Sequence, residues 1–170
     1  MIHSSEKILN LIKDELGEYA NDSGAVLYSG SSTLVQGQFY IIGLNPAGDP
    51  NHIKTTVFEQ VQNILNEKPD YNSYCDEEWG TYKRGESLHQ QRVQSLAKVL
   101  DMNIRNIFAA NIIFIRSTKT ATIKDYDELR RRCWKVHEYF LSVVQPKVIL
   151  CLGCDENKSA FSELKKKLCS

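Results

Sequence analysis

The sequence predicts an α/β protein: a three-layer α/β/α arrangement around a central, mainly parallel sheet of three to four strands. Three observations predict it. Short apolar runs rich in β-branched and aromatic residues occur at 38–43, 106–115 and 147–153. Stretches with a 3.6-residue apolar period separate them. Each run is apolar almost throughout, as strands covered on both faces are.

The elements follow in order. Ile8, Leu9, Ile12 and Leu16 recur at helical spacing, so the chain opens on a helix capped by Ser4 or Ser5 and broken at Asn21-Asp22-Ser23-Gly24. A Ser/Gly-rich loop leads into Gln38-Phe39-Tyr40-Ile41-Ile42-Gly43, a buried strand. A second helix runs from Thr55 to about Leu65, with Val57, Phe58, Val61, Ile64 and Leu65 on one side. Residues 66–87 are irregular, and so long an irregular stretch carries function or wraps the surface. A third helix presents Leu88, Gln91, Leu96, Val99 and Leu100. Residues 106–115 give the strongest strand signal. Asp125 caps a long helix through Leu129, Cys133, Trp134, Val136, Phe140, Leu141 and Val144, which Pro146 ends. Residues 147–153 form another buried strand, and Asp155 caps a last short helix ending near Cys169.

With 170 residues the chain is read as one domain, 1–170. A hydrophobic share of 42% and a charged share of 25% exclude a disordered or collagen-like chain. Lys+Arg 21 and Asp+Glu 21 cancel, which excludes an overall basic coat for nucleic acid. The cancellation hides an asymmetry. Up to Gly85 there are 6 Lys+Arg against 12 Asp+Glu, and after it 15 against 9. The N-terminus lacks the apolar core of a signal peptide, and no apolar run approaches membrane-spanning length. Five scattered Cys suit reduced thiols. A cytoplasmic protein with no membrane partner is expected.

In parallel α/β sheets the site lies beyond the carboxyl ends of the strands, here residues 43–50, 116–122 and 153–157. The first is the most informative. Ile42-Gly43-Leu44-Asn45-Pro46-Ala47-Gly48-Asp49-Pro50 combines two glycines, which let the backbone turn and approach a ligand, with two stiffening prolines. The same residues also make an ordinary strand-to-helix turn. Neither G-x-G-x-x-G nor G-x-x-x-x-G-K-[ST] is present.

Gly43-Leu44-Asn45-Pro46-Ala47-Gly48 is similar to the first motif of the uracil-DNA glycosylase superfamily, whose mismatch-specific and single-strand-selective branches read G-x-N-P-G; here Ala47 is inserted. Ala110-Asn111-Ile112-Ile113-Phe114 resembles the second strand of that family, whose Asn pairs with the base. Pro146-Lys147-Val148-Ile149-Leu150-Cys151-Leu152-Gly153 resembles the strand before its last motif. Asn72-Ser73-Tyr74-Cys75-Asp76-Glu77-Glu78-Trp79 and Phe114-Ile115-Arg116-Ser117 resemble further segments of a glycosylase-like subgroup. The resemblance spans about residues 39–164.

The resemblance implies cleavage of the N-glycosidic bond of a flipped uracil or other modified base in DNA, with no metal or organic cofactor. Such cleavage builds positive charge on the sugar and negative charge on the departing base, so it needs a placed water and donors at the base oxygens. Asn45 fits the water, since an amide can hold it but is a poor base. Asp49 is a stronger base only if its carboxylate turns inward; a turn role suits it better. Backbone N–H groups of Gly43, Leu44 and Gly48 fit the base oxygens, and Asn111 can read a pairing edge. Tyr40, Tyr74 and Trp79 are candidate stacking partners, with strand packing the better role for Tyr40. Arg116, Ser117 and Lys119 are the candidate phosphate contacts.

One departure stands out. The last motif of the family, opening with His-Pro after a fourth strand, has no counterpart after Gly153. His3, His52, His89 and His137 all lack its context and read as surface or packing residues. Against the family the chain looks shortened at its C-terminal end. Two alternatives therefore stand beside the enzyme: an inactive relative that binds a base, nucleotide or nucleic acid, and an incomplete domain finished by a partner or a second copy at an exposed sheet edge. Weaker signals are set aside. Cys151-Leu152-Gly153-Cys154 lacks a redox or zinc context, and Arg130-Arg131-Arg132 and Lys165-Lys166-Lys167 read first as solvated helix faces. Asp76-Glu77-Glu78 would repel a DNA backbone, so it faces away or caps its own loop.

Overall fold

The computed structural model describes residues 2–168. Strands β1 (Phe39–Gly43), β2 (Phe108–Asn111) and β3 (Val148–Cys151) form one sheet in the order β2-β1-β3, both pairs parallel. Helices α1 (Ile2–Leu16), α2 (Val57–Glu67), α3 (Ser73–Asp76), α4 (Leu88–Val99), α5 (Tyr126–Val144) and α6 (Ala160–Leu168) surround it. Alternation of side chains along the strands divides the core in two. Tyr40, Ile42, Phe108 and Ala110 pack with Ile8 and Ile12 of α1, Val57 and Val61 of α2, and Val136 and Phe140 of α5. Ile41 and Ala109 face the other way, onto Tyr74 of α3 and Val93 and Ala97 of α4. The chain is an α/β/α protein with a parallel sheet flanked by helices. Among the described residues no helix is long and apolar enough to cross a membrane.

Helix α2 is fixed by a full capping box: the Thr56 hydroxyl accepts from Glu59 N, and the Glu59 carboxylate accepts from Thr56 N. Several details differ from the sequence reading. Helix α1 is described from Ile2, so Ser4 and Ser5 lie within it and not ahead of it. Asp125 does precede α5, but in a left-handed conformation (φ 49°) with no capping hydrogen bond; its carboxylate accepts from the Tyr19 hydroxyl at 3.2 Å. Asp155 organises a turn, accepting from Asn157 N and Lys158 N, while Ser159 caps α6 by accepting from Ser162 N at 3.1 Å. The expected end near Cys169 lies outside the described residues.

Helix α4 buries Gln90, Val93 and Ala97, whereas Leu88 and Val99 face solvent. The reason is polar: Gln90 Nε2 donates to Ser73 O (3.0 Å) and Glu77 O (2.8 Å), so the face of α4 that meets the 73–79 segment is set by carbonyl acceptors. Strand β3 is half-exposed, not buried, because among the described residues no strand pairs with its outer edge. The other edge is covered. Residues 24–28 run antiparallel along β2 and the segment that follows it, with Ala25 N donating to Phe114 O (2.9 Å) and Tyr28 N to Ala109 O (2.8 Å). Gly24 is required there, since a Cβ would lie 2.2 Å from Phe114 O.

Candidate functional site

Strands β1 and β2 end side by side, with Gly43 opposite Asn111 in the register. The chains leaving them stay together. Ile112 N donates to Gly43 O and Ile113 N to Leu44 O, both at 2.8 Å, and Ser117 N donates to Pro46 O at 3.1 Å. The two loops are thus zipped over the carboxyl end of the sheet, where α/β proteins build their sites.

Asn45 is half-buried on the first loop. Its Nδ2 donates to Pro46 O (3.0 Å) and to Ser117 Oγ (2.9 Å). Arg116 donates to the Ala47 carbonyl, which braces the loop from the second segment. Its buried Nε has no partner among the described residues. Gly48 turns the loop with φ +114°, a conformation that favours glycine. The Asp49 carboxylate serves its own turn: it accepts from Asn51 N (2.8 Å) and Asn51 Nδ2 (3.0 Å), with His52 Nδ1 at 3.7 Å. Ser117 is buried with its hydroxyl facing Asn45, while Lys119 is exposed at the head of a 3-10 turn, where its carbonyl accepts from the Thr122 hydroxyl at 2.7 Å.

Asn111 is 4% exposed. Its Oδ1 lies against Gly43, where a Cβ would approach to 2.3 Å. Its Nδ2 is buried and, with the Tyr28 hydroxyl near the amide, makes no hydrogen bond of ordinary geometry among the described residues. An amide donor held dry and unpaired is costly unless a ligand meets it. Aromatic rings stand on the same side of the sheet. The Tyr28 and Tyr74 centroids are 5.8 Å apart, Tyr74 and Trp79 5.7 Å, and Trp79 stacks on His89 at 5.9 Å and 24°. Burial pushes the Tyr28 phenol up to about 12, with the neighbouring Asn111 amide and the Arg116 charge pulling the other way. Burial also raises Tyr74, while desolvation and then Arg92 lower His89, so all three rings are neutral at pH 7.

Carboxylates anchor this wall. Glu77 accepts from Ser73 Oγ and Trp79 Nε1, both at 2.8 Å, and from the Tyr71 hydroxyl. Arg105 grips Asp76 bidentately at 2.7 and 2.8 Å, and that pairing holds the Asp76 carboxyl below its ordinary range. Asp76 also accepts from Asn72 N at the start of α3, so the acidic run secures its own loop.

The structure therefore brings Gly43, Leu44, Asn45, Gly48, Arg116 and Ser117 into one pair of loops, with Asn111, Tyr74 and Trp79 on the adjoining α4 side. Tyr40 lies on the opposite face, bonded through its hydroxyl to His137 Nδ1 at 2.7 Å. The cationic runs are engaged elsewhere: Arg131 and Arg132 with Glu128, Arg130 and Lys166 with the buried Glu163. Sequence reasoning missed Tyr28 and His89 as parts of the wall. No local pattern marks Tyr28, whose place depends on pairing with β2. Beside the zipped loops a cleft of about 770 Å³ is lined by Lys54, Arg116 and Lys124 and by Asp22, Asp49 and Asp125. Among the described residues no group of His, Cys, Asp and Glu is arranged to hold a metal ion. No family model, curated protein or solved structure matches the chain.

Proposed function

We propose that the protein is a DNA N-glycosylase-like hydrolase that takes a flipped uracil or other modified base, in keeping with the resemblance of its loops to the uracil-DNA glycosylase superfamily. The observation that carries this reading is Asn111: a buried, unpartnered amide donor at the end of β2, directly across from the loop that holds Asn45. A base carbonyl entering beside Tyr28, Tyr74 and Trp79 would satisfy Nδ2 and accept the charge that develops as the N-glycosidic bond breaks. Asn45 would hold the attacking water through its carbonyl oxygen and assist a largely dissociative reaction. The flanking strand would meet the basic C-terminal part of the chain.

The test uses single- and double-stranded oligonucleotides carrying uracil and other modified bases, followed by alkaline cleavage at abasic sites. Cleavage by the wild type that is lost in Asn45→Ala supports the reading; intact strands at every base defeat it. A second reading has its own support. With the Asp49 carboxylate committed to its turn, the loop offers amides and no free carboxylate base. A silent base-binding module would bind these oligonucleotides, with affinity falling as salt rises, and leave no abasic sites.

A further inference from the structure

We infer that Ser117 is a positioning residue that holds the Asn45 amide in the orientation the Pro46 carbonyl selects; the inference rests on the glycosylase reading above. An Asn amide presents an acceptor oxygen and two N–H donors, and which end faces the reaction decides what it can do. Here the neighbours decide. The Pro46 carbonyl can only accept, and it lies 3.0 Å from one side of the amide, so that side must be Nδ2. The second N–H of the same nitrogen is taken by Ser117 Oγ at 2.9 Å. Both donors are spent, and among the described residues nothing donates to Oδ1. The amide is thereby presented as a pure acceptor, the form that orients a water by accepting a hydrogen bond from it. Ser117 is itself fixed: it is 7% exposed, Ser117 N donates to Pro46 O at 3.1 Å, and the adjacent Arg116 ties to the Ala47 carbonyl. The hydroxyl meets the Asn45 amide. It acts through Asn45.

The test compares wild type, Ser117→Ala and Ser117→Thr by steady-state excision of the preferred base and by the side-chain amide signals of Asn45 in nuclear magnetic resonance. Loss of one hydrogen bond to a poised amide corresponds to about a ten-fold fall in kcat. Ser117→Ala is expected to show that fall with KM unchanged and a shifted, faster-exchanging Asn45 amide, and Ser117→Thr to restore both. Full kcat in Ser117→Ala, or an Asn45 amide signal identical to wild type, overturns the assignment while leaving the glycosylase reading intact. A wild type that leaves every base in place overturns both, whatever the amide signal does.

Discussion

The Asn111 carbonyl oxygen fills the space that Gly43 leaves open: a Cβ on Gly43 would sit 2.3 Å from Oδ1. The clash is with the end of a side chain, which can rotate away, and not with backbone. Gly43→Ala is therefore expected to change unfolding free energy by no more than about 1 kcal/mol, since alanine also regains some strand propensity. The rotated amide, however, would move Nδ2 from the place in which the proposed base carbonyl would meet it. Base excision, or base binding if the protein is silent, should fall by about ten-fold or more. Chemical denaturation alongside the excision assay checks both halves. A large loss of stability would instead mean that the backbone had moved.

A second prediction concerns acid. His137 is fully buried, with Nδ1 accepting from the Tyr40 hydroxyl and Nε2 directed at Ile112 O. Burial lowers its pKa from 6.5 to about 4. The unfolded chain thus binds a proton near pH 6.5 that the folded chain refuses until about pH 4. Stability from this group is present above pH 6.5 and falls as the pH drops towards 4. Between pH 6.5 and 5 the loss should be about 2 kcal/mol, before most carboxylates titrate. His137→Gln removes the titration, so its melting temperature should vary less over that interval than that of wild type.

The layers and all three strands were legible in the sequence because each is a local pattern: a continuous apolar run, or apolar residues every 3.6 positions. The loop carrying Asn45 was legible for the same reason. What was not legible depends on distant partners. Tyr28 reads as a loop residue until Leu27 and Tyr28 pair with β2. The exposed side of α4 was misread because Gln90, a polar residue, is buried by carbonyls from α3 and the segment after it. Strand β3 has the composition of a covered strand, and composition does not say which strand lies at an edge.

The attachment of α6 gives a third prediction. Glu163 is 2% exposed and joins Arg130 at 3.1 Å to Lys166 at 2.8 Å. Removing the buried carboxylate takes one counter-charge from Arg130, which keeps Asp127 at 3.2 Å, and one from the half-exposed Lys166, a loss of about 1–2 kcal/mol. Glu163→Ala should lower the unfolding free energy in urea by that measure and expose α6 to proteolysis ahead of the sheet. Pairing it with Arg130→Met should recover part of the loss, because the guanidinium that faced Glu163 goes too. A double variant as unstable as the sum of the two singles would show that the pair is not coupled.

The aromatic wall supplies the fourth, through Glu77 and Trp79. The indole N–H can only donate, so it needs an acceptor, and Glu77 Oε2 provides it while also accepting from Ser73 Oγ; Oε1 accepts from Tyr71. Glu77→Ala removes all three contacts. Trp79 should then leave its stack with His89, with a red-shifted fluorescence, a stability loss of about 1–3 kcal/mol and, if the wall receives the base, a raised KM. Glu77→Gln separates geometry from charge. An amide oxygen in place of Oε2 still accepts from Trp79 and Ser73, and the new NH2 can donate to the Tyr71 hydroxyl, which can reverse its role. The glutamine variant should therefore keep the fluorescence and KM of wild type. If it behaves like alanine instead, the carboxylate charge is what holds the wall, and the orientation of Trp79 is then a matter of electrostatics more than of a single directed hydrogen bond.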